Sequence, residues 1–106
     1  MSHTVHKYAL TVDDEQFLGL PRSARILRVE CQHGASDDVL QLWVWVKPKD
    51  PIYRVGFLVV GTGNPAPPPE AYAYVGTANA DDAPVWHVFA NKHDMFLGSV
   101  KIGNDG

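Results

Sequence analysis

Val39-Leu40-Gln41-Leu42-Trp43-Val44-Trp45-Val46 is apolar on both of its faces. Successive side chains of a strand point to opposite sides. Leu40, Leu42, Val44 and Val46 therefore share one face, and Trp43 and Trp45 share the other. A half-buried strand alternates apolar with polar residues. A strand apolar on both sides is central in its sheet, or has one face covered by a partner or a ligand. The stretch thus predicts a β-rich domain with residues 39–46 as its central strand.

The flanking sequence extends this pattern. Upstream, Tyr8, Leu10 and Val12 fall in one phase of a strand, followed by the acidic turn Asp13-Asp14-Glu15 and the short apolar piece Phe17-Leu18-Gly19-Leu20, which Pro21 ends. Leu27, Val29 and Cys31 alternate with Arg28, Glu30 and Gln32, which predicts a strand with the first set inward. His33 to Asp38 is turn chemistry. Downstream, Pro48 and Pro51 mark a turn, since neither can donate to a ladder. Ile52 to Val60 is rich in β-branched and aromatic residues and reads as the next strand. Gly61-Thr62-Gly63-Asn64-Pro65-Ala66-Pro67-Pro68-Pro69 excludes helix and central strand, and predicts a stiff surface connection. Tyr72 to Ala78 follows, with Tyr72, Tyr74 and Gly76 in phase, then the turn Asn79 to Pro84, then Val85-Trp86-His87-Val88-Phe89. Residues 95–102 carry apolar side chains on both strand phases and allow a further C-terminal strand. No segment sustains a helical period. Strands about ten residues apart, with turn signals between them, predict an all-β domain, a small antiparallel β-sandwich or barrel of about seven strands.

Size and charge narrow the function. At 106 residues the chain is one domain, 1–106, with 93–106 as a C-terminal extension. A domain of this length buries roughly two-thirds of its unfolded surface and holds a core without staples. The net charge is −3 and the nine Lys and Arg are scattered, which argues against a nonspecific nucleic-acid binder. The charge is also too weak for mimicry of nucleic acid. The single Cys31 allows no internal disulfide and reads as a buried, inert thiol, in keeping with a reducing compartment. No segment approaches a membrane span, and the first residues carry no apolar run of the signal-peptide kind.

Each motif has a plain reading and a functional one. Gly61-Thr62-Gly63-Asn64 follows a strand, as phosphate-binding loops do. It lacks the third glycine and the helix of a dinucleotide site, and the Gly-Lys-Ser/Thr of a P-loop. The plain reading is a glycine-assisted turn or bulge, and the functional one is a backbone nest for an anion. Trp86 and His87 point to opposite faces, so one of them faces the core. His87 is structural in the plain reading, a ligand or base in the other. Trp43 and Trp45 complete a two-sided core, or form an aromatic platform that stacks a base or receives a partner side chain. The five histidines offer only His3 and His6 as a close pair, one cysteine completes no finger-type zinc site, and Asp13-Asp14-Glu15 lacks calcium-loop spacing. None of the four serines sits in a nucleophile elbow.

Lys7-Tyr8, the Pro21…Ala24…Leu27 segment, Gln32-His33-Gly34, Leu42-Trp43, Gly61-Thr62-Gly63-Asn64-Pro65, Tyr74-Val75-Gly76-Thr77 and Val85-Trp86-His87-Val88-Phe89 form a combined pattern. On it the chain resembles a family of small phage and prophage proteins of unknown function. The resemblance implies a phage origin and action in the cytoplasm of an infected bacterium, where accessory roles include inhibition of host defence. With no catalytic constellation in view, the expected function is non-enzymatic: a phage accessory protein that blocks or sequesters a host component. A structural virion or assembly protein, and a small hydrolase without a recognisable signature, are the alternatives. The expected ligand- or partner-binding residues are Trp43, Trp45, Gly61, Thr62, Gly63, Asn64, Trp86 and His87. The expected partner is a host protein or a small nucleotide-like ligand, with no metal, no cofactor, no direct nucleic-acid binding and no membrane. The apolar tail favours a homodimer with residues 94–106 at or near the interface.

Overall fold

The computed structural model describes residues 2–12, 15–31, 39–79 and 85–103. The expected turns at Asp13-Asp14, His33 to Asp38 and 80–84 lie outside the described residues. Among the described residues eight strands form two sheets: β1 (Thr4–Thr11), β2 (Glu15–Pro21), β3 (Arg25–Cys31), β4 (Val39–Val46), β5 (Ile52–Gly61), β6 (Tyr72–Asn79), β7 (Val85–Asn91) and β8 (Lys101–Ile102), with one helix, α1 (Lys92–Gly98), before β8. One sheet has the order β1-β4-β3-β8 and the other β2-β5-β7-β6. Every pairing is antiparallel except β3 with β8. The architecture is the β-sandwich that the alternation predicts, with β4 central between β1 and β3.

The core lies between the sheets. Leu40, Leu42, Val44 and Val46 are all buried and face Val55, Phe57, Val59, Val88 and Ala90 of the other layer. Phe57 is the largest fully buried side chain, and no polar side chain among the described residues is fully buried. The sheets come closest where β6 passes β3. A Cβ on Gly76 would lie 2.9 Å from Val29 Cγ2, so only glycine fits that crossing.

Between β1 and β2 the chain changes sheet. Gln16 closes the corner: its Oε1 accepts from the Thr11 amide (2.9 Å) and its Nε2 donates to the Thr11 carbonyl (2.8 Å). The proline-rich segment after β5 is neither strand nor helix, as its composition requires. The Lys92 amide donates to Ala71 O (2.9 Å) and Lys92 Nζ to Pro69 O (2.6 Å), which ties the segment to the start of α1.

Four expectations need correction. Residues 95–102 are not a strand. Asn91 caps a seven-residue helix by accepting from the Asp94 amide (3.0 Å), and Ser99 ends it in the left-handed conformation, φ 54°. Only Lys101 and Ile102 pair, beside β3. In β3 a bulge between Ile26 and Arg28 shifts the phase, so Ile26 takes the inward place and Leu27 is half-buried. Cys31 is half-buried rather than fully buried. In β6 a bulge between Tyr74 and Gly76 puts Gly76 toward the core and Tyr74 outward.

Candidate functional site

β5 ends in a tight turn. The Asn64 amide donates to Gly61 O (3.1 Å) and Gly63 has φ +93°, the pattern of a type II turn with glycine at its third position. The Thr62 amide donates to Val85 O (3.2 Å) and ties the turn to β7. Gly61 lies opposite Trp86 in register. A Cβ on Gly61 would sit 3.2 Å from both Asn64 Nδ2 and Trp86 Cζ3, so its missing side chain leaves room for those two groups. A cleft of about 550 Å³ opens here between Val12, Gly61, Asn64, Pro65 and Trp86. The Trp86 Nε1 is buried without a hydrogen-bond partner.

On the outer face of the same sheet runs a line of hydrogen bonds. Tyr74 Oη meets Thr77 Oγ1, Thr77 Oγ1 lies 3.0 Å from His87 Nδ1, and His87 Nε2 lies 2.8 Å from Thr62 Oγ1. A neutral imidazole gives one proton and takes one. The line therefore runs either from Thr62 toward Tyr74 or in reverse, and a protonated ring would donate to both threonines. The β6 bulge creates this arrangement, because strict alternation puts residues 74 and 77 on opposite faces. Tyr74 also packs edge-on against Phe89, 5.9 Å between ring centroids.

Trp43 and Trp45 lie on the outer face of the other sheet. Lys7 and Arg28 flank Trp43 in register, and Val5 and Arg25 flank Trp45. The Trp43 Nε1 donates to Glu30 Oε1 (2.7 Å), whose other oxygen pairs with Arg28 Nη2 (3.0 Å), and Lys7 Nζ stands 5.6 Å from the indole. Trp45 is 42% exposed, with the His3 ring tilted against it at 5.3 Å. The two-sided core therefore does not form: β4 buries its aliphatic face and leaves its aromatic face open.

A family model for a domain of unknown function, DUF7352, matches residues 1–95. The chain belongs to the DUF7352 family. Neither the curated proteins nor the solved structures include a match.

In this DUF7352 domain the expected binding residues divide between two places. Thr62 and His87 touch, Gly61, Asn64 and Trp86 line one cleft, and Gly63 serves the turn between them. Trp43 and Trp45 belong to the other sheet. Sequence reading missed Thr77, Tyr74, Lys7 and Glu30, which cross-strand register brings in. No group of three His, Cys, Asp or Glu among the described residues is placed to hold a metal ion. His3 and His6 separate, with His3 against Trp45 and His6 opposite Val44 on the inward phase.

Proposed function

We propose that this DUF7352 protein is a non-enzymatic accessory protein of phage origin that acts in the cytoplasm of an infected bacterium by blocking or sequestering a host component. The observation that carries the reading is the open face of β4. There two tryptophans lie beside Lys7, Arg25 and Arg28, with Glu30 hydrogen-bonded to Trp43. Aromatic and Arg side chains in the middle of a surface are the usual anchors of a binding site. The phage setting rests on the resemblance of the sequence pattern. The experiment is recovery of tagged protein from infected cells, with bound proteins and small molecules identified by mass spectrometry. A host component held by the wild type and lost from Trp45→Ala, at an unchanged melting temperature, is the expected result. Equal recovery by both would overturn the reading. Abundant protein in purified particles would favour a virion role instead.

A hydrolase is the second reading, favoured by the 2.8 Å Thr62–His87 pair, a hydroxyl within reach of a base. No carboxylate among the described residues joins that hydrogen-bonded line, so its orienting partner is Thr77 alone. Turnover of p-nitrophenyl acetate or p-nitrophenyl phosphate that disappears in Thr62→Ala would support it.

A further inference from the structure

The cleft beside the Gly61 turn carries two hydrogen-bonding groups without a partner among the described residues. The Trp86 Nε1 is closed to water and has no acceptor. The Asn64 carboxamide, which can both give and take, makes no side-chain hydrogen bond. Buried polar groups are almost always bonded, so an orphan on a residue that walls a cleft asks for a partner. The cleft of about 550 Å³ falls within the roughly 300–1,000 Å³ of small-molecule sites.

The local structure explains how the two groups meet. Gly61 ends β5 opposite Trp86, and the turn that it opens brings Asn64 back over it. A Cβ at Gly61 would stand 3.2 Å from both Asn64 Nδ2 and Trp86 Cζ3, so carboxamide and indole flank the place of the missing side chain. Val12, Leu58 and Pro65 supply apolar walls. No charged side chain among the described residues lines the cleft. The site therefore suits an uncharged ligand with a flat apolar body and one edge that both gives and takes a hydrogen bond.

We propose that this cleft binds the adenine base of a nucleoside, with the base edge on Asn64. A carboxamide matches adenine in two parallel hydrogen bonds. Its oxygen accepts from the exocyclic amino group, and its nitrogen donates to the adjacent ring nitrogen. The apolar walls and the indole take the faces of the ring. A turn of the indole brings the Trp86 Nε1–H to a further ring nitrogen and satisfies the orphan. With no cation in the described walls, a phosphate would add nothing to the affinity. The cleft lies apart from the open face of β4, so the inference goes beyond the host-component reading and does not depend on it.

Calorimetric titration with adenosine, guanosine and AMP tests it, together with the indole N–H signals of isotope-labelled protein, assigned by Trp86→Phe. Adenosine should bind more tightly than guanosine, AMP no more tightly than adenosine, and added salt should have little effect. Of the three indole signals, only that of Trp86 should shift. Asn64→Ala should weaken adenosine by about tenfold. Asn64→Asp should turn the preference toward guanosine, because a carboxylate only accepts and the guanine edge carries a ring N–H beside an amino group. Both variants keep the backbone N–H that closes the turn, so their melting curves should match the wild type. Gly61→Val should abolish binding. Absence of adenosine binding at millimolar concentration, or wild-type affinity in both Asn64→Ala and Gly61→Val, would overturn the site. A shift of the Trp43 or Trp45 signal in place of Trp86 would put the ligand on the β4 face and overturn the cleft. AMP binding far more tightly than adenosine would overturn the uncharged ligand class.

Discussion

Gly61 and Gly63 are two residues apart and are glycines for different reasons. Gly63 has open space around it and a positive φ, so a side chain there meets no neighbour but strains the backbone. Gly63→Ala should cost about 1–2 kcal/mol in denaturant unfolding and leave the cleft unchanged. Gly61 has the opposite problem, since its Cβ would crowd Asn64 and Trp86. Gly61→Val should fill the cleft, so it is the better probe of any ligand there. The tryptophans also separate. Trp43 carries a hydrogen bond to Glu30 and packs between Lys7 and Arg28, so Trp43→Ala should cost about 1–2 kcal/mol, well below the roughly 3–5 kcal/mol of a core aromatic. Trp45→Ala should stay within about 0.5 kcal/mol, as surface changes do. The Tyr8 phenol is pushed above its ordinary pKa of 10.0 by burial. Its folded value lies above its unfolded one, so the stability it contributes is complete below pH 10 and drains away as pH rises through the folded value. Tyr8→Phe should flatten the alkaline limb of a stability-against-pH curve. Residue types alone pointed to Gly61, Thr62, Asn64, Trp86 and His87. They did not reveal Thr77 or Tyr74, because one extra residue in β6 inverts the phase on which alternation depends.

At the level of elements, the strands were legible and the irregularities were not. β4 was legible because it is apolar on both faces, and β5 and β7 because β-branched and aromatic residues run together between turn signals. The β3 bulge hid itself, because Ile26 and Leu27 are both apolar and either phase looks acceptable. The helix hid for a similar reason. Seven residues give two turns, and Met95, Phe96 and Leu97 suit either period; the cap Asn91, with Asp94 three residues on, was the available signal. Asp94 then takes on a second task. Its Oδ2 accepts from the Gly56 amide (2.9 Å) beyond the last β5–β7 pair, where β7 has turned into α1. Asp94→Ala should cost about 1–3 kcal/mol, the penalty of an orphaned amide, measurable as a shift in denaturation midpoint at constant m value. Deleting residues 94–106 is accordingly a poor test of self-association, since it removes Met95 and Val100 from the core.

The whole molecule is a sandwich whose four edges are blunted in different ways. β8 is two residues long, β6 is bulged, β2 contains Gly19 and Pro21, and β1 presents Lys7. Edge-to-edge pairing is thus discouraged, and the proposed homodimer would instead use the outer side of α1, where Phe96 is 80% and Leu97 52% exposed. Light scattering should give a mass near twice 11.7 kDa, and Phe96→Asp combined with Leu97→Asp should halve it without lowering the melting temperature. A wild-type protein that stays monomeric at micromolar concentration would remove the dimer.

The corner at Thr11 to Gln16 has a consequence for the order of events during synthesis. Because the chain changes sheet there, β1 and β2 cannot zip together as a hairpin, although they are consecutive in the chain. β1 waits for β4 and β2 waits for β5, while β3–β4 and β6–β7 are the pairs that can close between consecutive strands. Until β5 is made, Leu18 and Leu20 have no partner strand. Loop closure of that span precedes any reward from packing, which places refolding in the millisecond-to-second range of sandwiches. Stopped-flow refolding followed by tryptophan emission would time it. Until β5 pairs, the apolar face of β2 stays open to water, so the early chain is the stage most exposed to wrong pairing.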